Sequence, residues 1–189
     1  MDEKDIIKKC QRGDMGQFAR LYDRYADKIY RFIYYKTMHR ETAEDLTSQA
    51  FMKAMEALPR FDSARGSFSS WLYRIARNGV IDHYRTAKNV EGIDGAYGLH
   101  DGREIPVDLD AKRSLDAVRQ YLATIQREHR EIVVMKLWDQ LSYREIAEIT
   151  GKSAASCKVA FSRTMARLRE DMAFALASLI VIIINSITI

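Results

Sequence analysis

Between Asp14 and Met38 the side chains Phe18, Leu21, Tyr22, Tyr25, Ile29, Phe32 and Ile33 recur at steps of three and four residues. That is the period of one long amphipathic helix. A second pattern, RETAEDLTSQAFMKAMEAL, sets Ala43, Leu46, Ala50, Phe51, Ala54 and Leu58 on one face and stops at Pro59, which cannot extend a helix. So short a connection predicts antiparallel packing of the two. The loop PRFDSARGS offers Gly66 for a turn and Ser67 as an N-cap, and FSSWLYRIARNGVIDHYR then reads as a third helix, weakened or bent at Gly79.

Periodicity fails between about Lys88 and Lys112, where NVEGIDGAYGLHDGREIPVDLD holds four Gly, one Pro and six acids. A flexible linker is expected there, its acidity serving solubility. Beyond it SLDAVRQYLATI, REHREIVVMKLWD, SYREIAEIT and SAASCKVAFSRTMARLRE are four short helical patterns, with no internal repeat. The expected fold is all-α: two small helical domains, residues 1–89 and 113–172, joined by a linker over 90–112 and followed by an apolar C-terminal tail helix over 173–189.

Composition narrows this further. A chain of 189 residues, 47% apolar and 30% charged, can bury a core and is too small for a large multi-domain enzyme. Only 2 Pro and 9 Gly favour helix over a turn-rich β fold. Cys10 and Cys157 stand far apart, which suggests neither a disulfide framework nor a CxxC metal site and fits a reducing cytoplasm. The net charge of +4 is unevenly spread: 17 basic and 12 acidic residues in 1–90, 3 and 6 in 91–114, 10 and 8 in 115–189. Two basic modules therefore flank an acidic connector. The start, MDEKDIIKKC, lacks the basic-then-apolar order of a secretory signal, so export is not expected.

The densest constellation runs from Leu141 to Glu170. Ser142 and Glu145 form a capping box, Ile146, Ala147 and Ile149 supply a small apolar face, Gly151 ends the helix, and Ser153 caps the next. Two short helices about a Gly turn describe a helix-turn-helix, whose second helix can enter the major groove of DNA. From Lys152 to Arg169 stand five basic residues and no acid, as phosphate contact requires; an ordinary helical hairpin with a solvated basic face is the plainer reading. Arg60 to Lys88 adds six basic residues against two acids, with Phe61, Phe68, Trp71, Tyr73 and Tyr84 among them. Rings between cations suit unpaired bases, although aromatics at helical spacing also serve as core.

In order and spacing, EDLTSQAFMKAMEAL, FDSARGSFSSWLYRIARN and LSYREIAEITGKSAASCKVAFSRTMARLR resemble bacterial RNA polymerase sigma factors of the extracytoplasmic-function (ECF) group over about 150 residues. The resemblance implies a first module, region two, that binds the clamp helices of core RNA polymerase and opens the minus-ten element. It implies a second, region four, that reads the minus-35 element and touches the polymerase flap. Promoter DNA and an anti-sigma factor are the other implied partners, with no cofactor and no metal.

Carried over by position, Glu44, Asp45, Leu46, Gln49 and Phe51 match the polymerase-binding helix. The loop from Phe61 through Arg65, Ser67, Phe68 and Ser69 matches the segment that captures an extruded base, and Trp71, Arg74, Asn78 and Arg85 match the helix that holds the melted strand. Ser142, Tyr143, Lys152, Ser153, Ser156, Lys158, Arg163 and Arg167 are the minus-35 candidates. The family's run of small residue, Thr, Val, Lys, Ser, Arg is here Ala155, Ser156, Cys157, Lys158, Val159, Ala160, so two polar or basic base-reading positions are apolar.

The ending AFALASLIVIIINSITI departs more sharply, running from Ala173 to Ile189 without a charge. As a helix it would span roughly 25 Å, short of a ~30 Å hydrocarbon core. Three readings stay open: an anchor holding the protein at the inner face of the membrane, a helix packed on the protein's own surface, and a partner or dimer site.

An enzyme is not expected. Gly151-Lys152-Ser153 mimics the end of a P-loop, but the required first Gly would fall at Ile146 and a helix precedes it. His39, His83, His100 and His129 lack metal-ligand spacing. The function implied is promoter-specific initiation by a cytoplasmic sigma factor. The alternatives are a helix-turn-helix regulator acting without polymerase and a membrane-tethered interaction protein.

Overall fold

A computed structural model describes residues 2–91 and 122–187, with side chains described for 2–86 and 122–171. Among the described residues there is helix and turn and no strand, as the low Gly and Pro content leads one to expect.

The first module contains α1 (Glu3–Gln11), α2 (Phe18–Thr37), α3 (Arg40–Ala57) and α4 (Phe68–Glu91). Helix α1 was not foreseen, although Asp2 caps it through the Glu3 amide at 2.7 Å and Ile6, Ile7 and Cys10 bury one face. It fastens to α2 where the Tyr25 hydroxyl donates 2.5 Å to Glu3. The helix expected from Asp14 begins as a 3-10 turn, Met15–Gln17, and becomes α-helical at Phe18.

Two residues turn the chain from α2 into α3. Met38 adopts φ 54° and donates its amide 2.6 Å to Tyr34 O, and His39 caps α3 by accepting 3.2 Å from the Thr42 amide at Nδ1. An imidazole nitrogen with a free lone pair can thus replace the usual Ser or Asp cap. After α3 the loop is tightly structured, with 3-10 turns at Leu58–Arg60 and Ser63–Arg65. Ser67 caps α4 by accepting 3.1 Å from the Ser70 amide. Helix α4 passes through Gly79 as one segment, and a Cβ there would meet nothing within 4 Å.

The second module contains α5 (Arg127–Leu137), α6 (Tyr143–Thr150) and α7 (Ala154–Ile187), preceded by helical residues 122–124. Helix α7 continues past the recognition segment into the apolar ending as far as Ile187. The expected linker lies outside the described residues except for its start, which belongs to α4. Most of SLDAVRQYLATI also lies outside them.

One apolar core runs through both modules. Leu21, Ile29, Phe32, Leu72 and Tyr73 of the first are fully buried together with Ile132, Met135 and Ile146 of the second. A smaller cluster joins Tyr35 to Leu122, Val133 and Val134, with the Trp138 ring 5.5 Å from Tyr35. The hydrophobic effect therefore acts across the module boundary as well as within each module.

Candidate polymerase and nucleic-acid interface

Helix α3 divides the five positions carried over to polymerase binding. Leu46 and Phe51 are buried, Phe51 packing 4.8 Å from the Tyr22 ring and 6.4 Å from Phe18. Glu44, Asp45 and Gln49 face outward. Ser48 and Met52 complete that outward stripe at helical spacing, and neither was singled out from sequence. Met52, at 53% exposed, is a large apolar side chain in water, and its signal was its place one turn beyond Ser48 and Gln49.

The segment carried over to minus-ten capture also splits. Phe61 and Phe68 are buried, their rings 5.7 Å apart and edge-on, with Trp71 5.0 Å from Phe61 and 5.5 Å from Phe68. These phenylalanines shape the loop from beneath. Above them Arg65 and Ser67 are exposed, and Gly66 holds φ 144°, a conformation that strains any residue with a side chain. Asp62 fixes the turn by accepting 2.9 Å from the Ala64 amide. On α4, Trp71 and Arg74 are half-buried while Asn78 and Arg85 are exposed, Arg85 pairing 3.2 Å with Asp82. The loop is therefore braced from below and open above. Gln11, which sequence reading passed over, adds a second brace through the carbonyls of Leu58 and Phe61.

In the helix-turn-helix the expected caps and turn are formed, while its second helix is far longer than expected. Ser142 accepts 3.2 Å from the Glu145 amide while Glu145 accepts 2.8 Å from the Ser142 amide, closing the capping box. Gly151 ends α6 at φ 74°, and Ser153 caps α7 by accepting 3.1 Å from the Ser156 amide. Ser142 and Ser153 are thus occupied as caps, and Tyr143 lies half-buried beneath the Lys136 ammonium at 4.9 Å. Lys152 pairs with Glu128, whose carboxyl that hydrogen bond holds below the usual range. Ser156, Lys158, Arg163 and Arg167 are exposed on α7, and so is Val159. Cys157 is buried beneath them, 3.7 Å from the Thr150 hydroxyl.

The modules lie against one another. Glu131 of α5 is 1% exposed and meets two cations of the first module: Lys36, and Arg77 at 3.3 Å. Burial pulls the Lys36 amine below its ordinary value, and Glu131 offsets this only in part. Arg130 donates 3.2 Å to Tyr35 O, and the Arg127 guanidinium lies 4.4 Å over the Tyr84 ring. Tyr73 and Asp139 interact across the boundary, but neither the phenol nor either carboxylate oxygen completes a hydrogen bond. Burial raises both groups above their ordinary values. Ser63, Arg65, Gly66 and Ser67 also line a cleft of about 390 Å³ whose other wall is Arg144, Glu145 and Glu148 of α6.

Among the described residues no group of three or more His, Cys, Asp or Glu could hold a metal ion. Nor is any helix long and apolar enough to cross a membrane among them; the side chains of 172–187 are not described.

Two family models match this chain: Sigma-70 region 2 over residues 21–90 and Sigma-70 region 4 over residues 115–168. The chain is similar to the ECF RNA polymerase sigma factor BldN of Streptomyces coelicolor, at 34% identity over 88% of this chain and 66% of that one. It is similar to SigW of Bacillus subtilis at 34% identity over 89% of this chain and 96% of that one. In fold it resembles CnrH, solved with the cytosolic domain of CnrY, with a TM-score of 0.69 at 21% identity over 90% of this chain and 97% of that one. RpoE of Bartonella quintana, solved with the anti-sigma factor NepR, gives 0.66 at 22% identity over 81% and 94%. Both region matches fall in order on one chain, with a relative that is 34% identical along nearly its whole length, so the chain belongs to the ECF RNA polymerase sigma factors.

Proposed function

We propose that the outward stripe of α3, formed by Glu44, Asp45, Ser48, Gln49 and Met52, docks on the clamp helices of core RNA polymerase, with Leu46 and Phe51 holding the helix in place. The exposed Arg65 and Ser67, with Ser69 behind them at the start of α4, take the extruded minus-ten base, and Trp71, Arg74, Asn78 and Arg85 hold the melted strand beside it. Extruding a base costs a few kcal/mol, which stacking and cationic contacts to the strand must offset. In the second module Ser156, Lys158, Arg163 and Arg167 meet the minus-35 duplex, while Ser142 and Ser153 act as caps that aim α7. Val159 supplies an apolar contact where the family has a polar one, which suits a thymine methyl.

One observation carries this reading: a region-two match covers 21–90 on the same chain as a fully capped helix-turn-helix. A regulator acting without polymerase has no use for the first module. An anti-sigma factor is the natural restraining partner, since the solved relative RpoE was captured with one. Such a factor works in the cytoplasm, beside polymerase and chromosome. No covalent chemistry is assigned to this chain's own side chains.

The test is transcription by purified core polymerase on fragmented genomic DNA, with and without this protein. New start sites sharing an upstream sequence are expected. Polymerase binding without new starts would overturn the promoter assignments, and loss of both would favour a regulator acting alone.

A further inference from the structure

The boundary between the modules is built from opposite charges as well as apolar packing. At its centre the single carboxylate of Glu131 serves Lys36 of α2 and Arg77 of α4, reaching Arg77 through both oxygens at 3.3 and 3.5 Å. On one flank Arg130 and Arg127 grip the Tyr35 carbonyl and the Tyr84 ring. Beside the capture loop, Glu148 Oε2 stands 3.5 Å from where a Cβ on Gly66 would lie. An acidic side chain of α6 thus faces the loop that the proposed function gives to the minus-ten strand.

We infer that Glu131 is an intramolecular latch: in the free chain it holds the second module against α4 with α6 walling one side of the Ser63–Ser67 loop, and the modules must part before DNA can lie across the full width of that face. The part concerning DNA rests on the proposed function; the latch itself rests on the geometry of the boundary.

The physics suits a latch better than a lock. Removing one anion and two cations from water costs nearly what their mutual attraction returns, so the closed state gains little net stability from the triad. Burial pulls the Lys36 amine below its ordinary value despite the neighbouring carboxylate. Yet once closed, deleting the one anion leaves two partly buried cations unpaired against each other, and the charged part of the boundary no longer holds. Closure is therefore poised, and a polyanionic strand competing for the cationic face, or a polymerase surface drawing the modules apart, can shift it.

The experiment uses the full chain free of polymerase, comparing wild type with Glu131→Ala by small-angle X-ray scattering and circular dichroism. It adds binding of a fluorescent single-stranded DNA of about a dozen mixed-sequence nucleotides. Wild type should be compact. Glu131→Ala should be expanded at unchanged helicity and bind the strand at least about tenfold more tightly, because the competent fraction rises. An expanded wild type, or a Glu131→Ala protein as compact as wild type, overturns the latch. Should Glu131→Ala lose helicity, the isosteric Glu131→Gln decides in the same two ways. Expansion without tighter strand binding would uphold the latch and overturn the strand-binding assignment instead.

Discussion

The Gln11 side-chain amide donates 2.7 Å to the Phe61 carbonyl, fifty residues away, and 3.2 Å to the Leu58 carbonyl beside it. One residue at the end of α1 therefore fixes the stem of the capture loop, while Phe61 and Phe68 support the loop from the core. Replacing Gln11 by Ala should cost about 1–2 kcal/mol, the net value of two neutral hydrogen bonds. Thermal unfolding reads that loss. Strand binding by the holoenzyme should weaken in parallel, with polymerase affinity unchanged because α3 is untouched.

That brace marks the limit of what the sequence reveals. Helix periods, the capping box, Gly151, and the caps at Ser67 and Ser153 are local signals, each written within a few residues, and the structure agrees with them. The family's motifs were equally legible. Gln11, Glu131 and Asp139 were not, because their partners lie 47 or more residues away or in the other module. A charge in the run REHREIVVMKL is ordinary for a solvated face, and only the arrival of α2 and α4 makes Glu131 a buried anion. The same limit explains Phe61 and Phe68: sequence places rings among cations, and only packing shows that these two rings point inward.

Helix α3 allows stability to be separated from polymerase binding. Leu46→Ala removes a buried side chain and should cost about 2–5 kcal/mol of stability. Met52→Glu and Gln49→Ala alter exposed positions and should leave the unfolding temperature nearly unchanged. Both should weaken binding to core polymerase, measured by fluorescence anisotropy of the labelled chain. Equal losses of stability and affinity in all three variants would contradict the assignment of that face.

Asp139 makes closure sensitive to pH. Its carboxyl, packed against Tyr73 of α4 and near Lys28 and Arg31 of α2, titrates above its ordinary value because it is buried. The closed state therefore binds the proton more tightly than the open one. Its contribution to closure is complete below the ordinary aspartate value and is lost as pH rises through the raised one. Asp139→Asn should remove this slope and favour the closed form at pH above the raised value. Scattering profiles from below the ordinary aspartate value up to neutral pH check both effects.

Salt dependence tests the recognition helix. Arg163 and Arg167 are exposed, and as phosphate contacts each should contribute about 0.9 to the slope of log affinity against log salt for a minus-35 duplex. Arg163→Ala or Arg167→Ala should flatten the slope by roughly that amount in the holoenzyme. Lys152→Ala should flatten it less, because Lys152 already pairs with Glu128.

Permanganate reactivity of thymines in a promoter complex tests the central claim most directly, because it reads strand opening itself. With core polymerase and the wild-type chain, thymines just upstream of the mapped start should become reactive. Arg65→Ala combined with Asn78→Ala should abolish that reactivity while leaving polymerase binding and minus-35 protection intact. Undiminished opening by that variant would contradict the assignment of the capture loop and α4 to the melted strand.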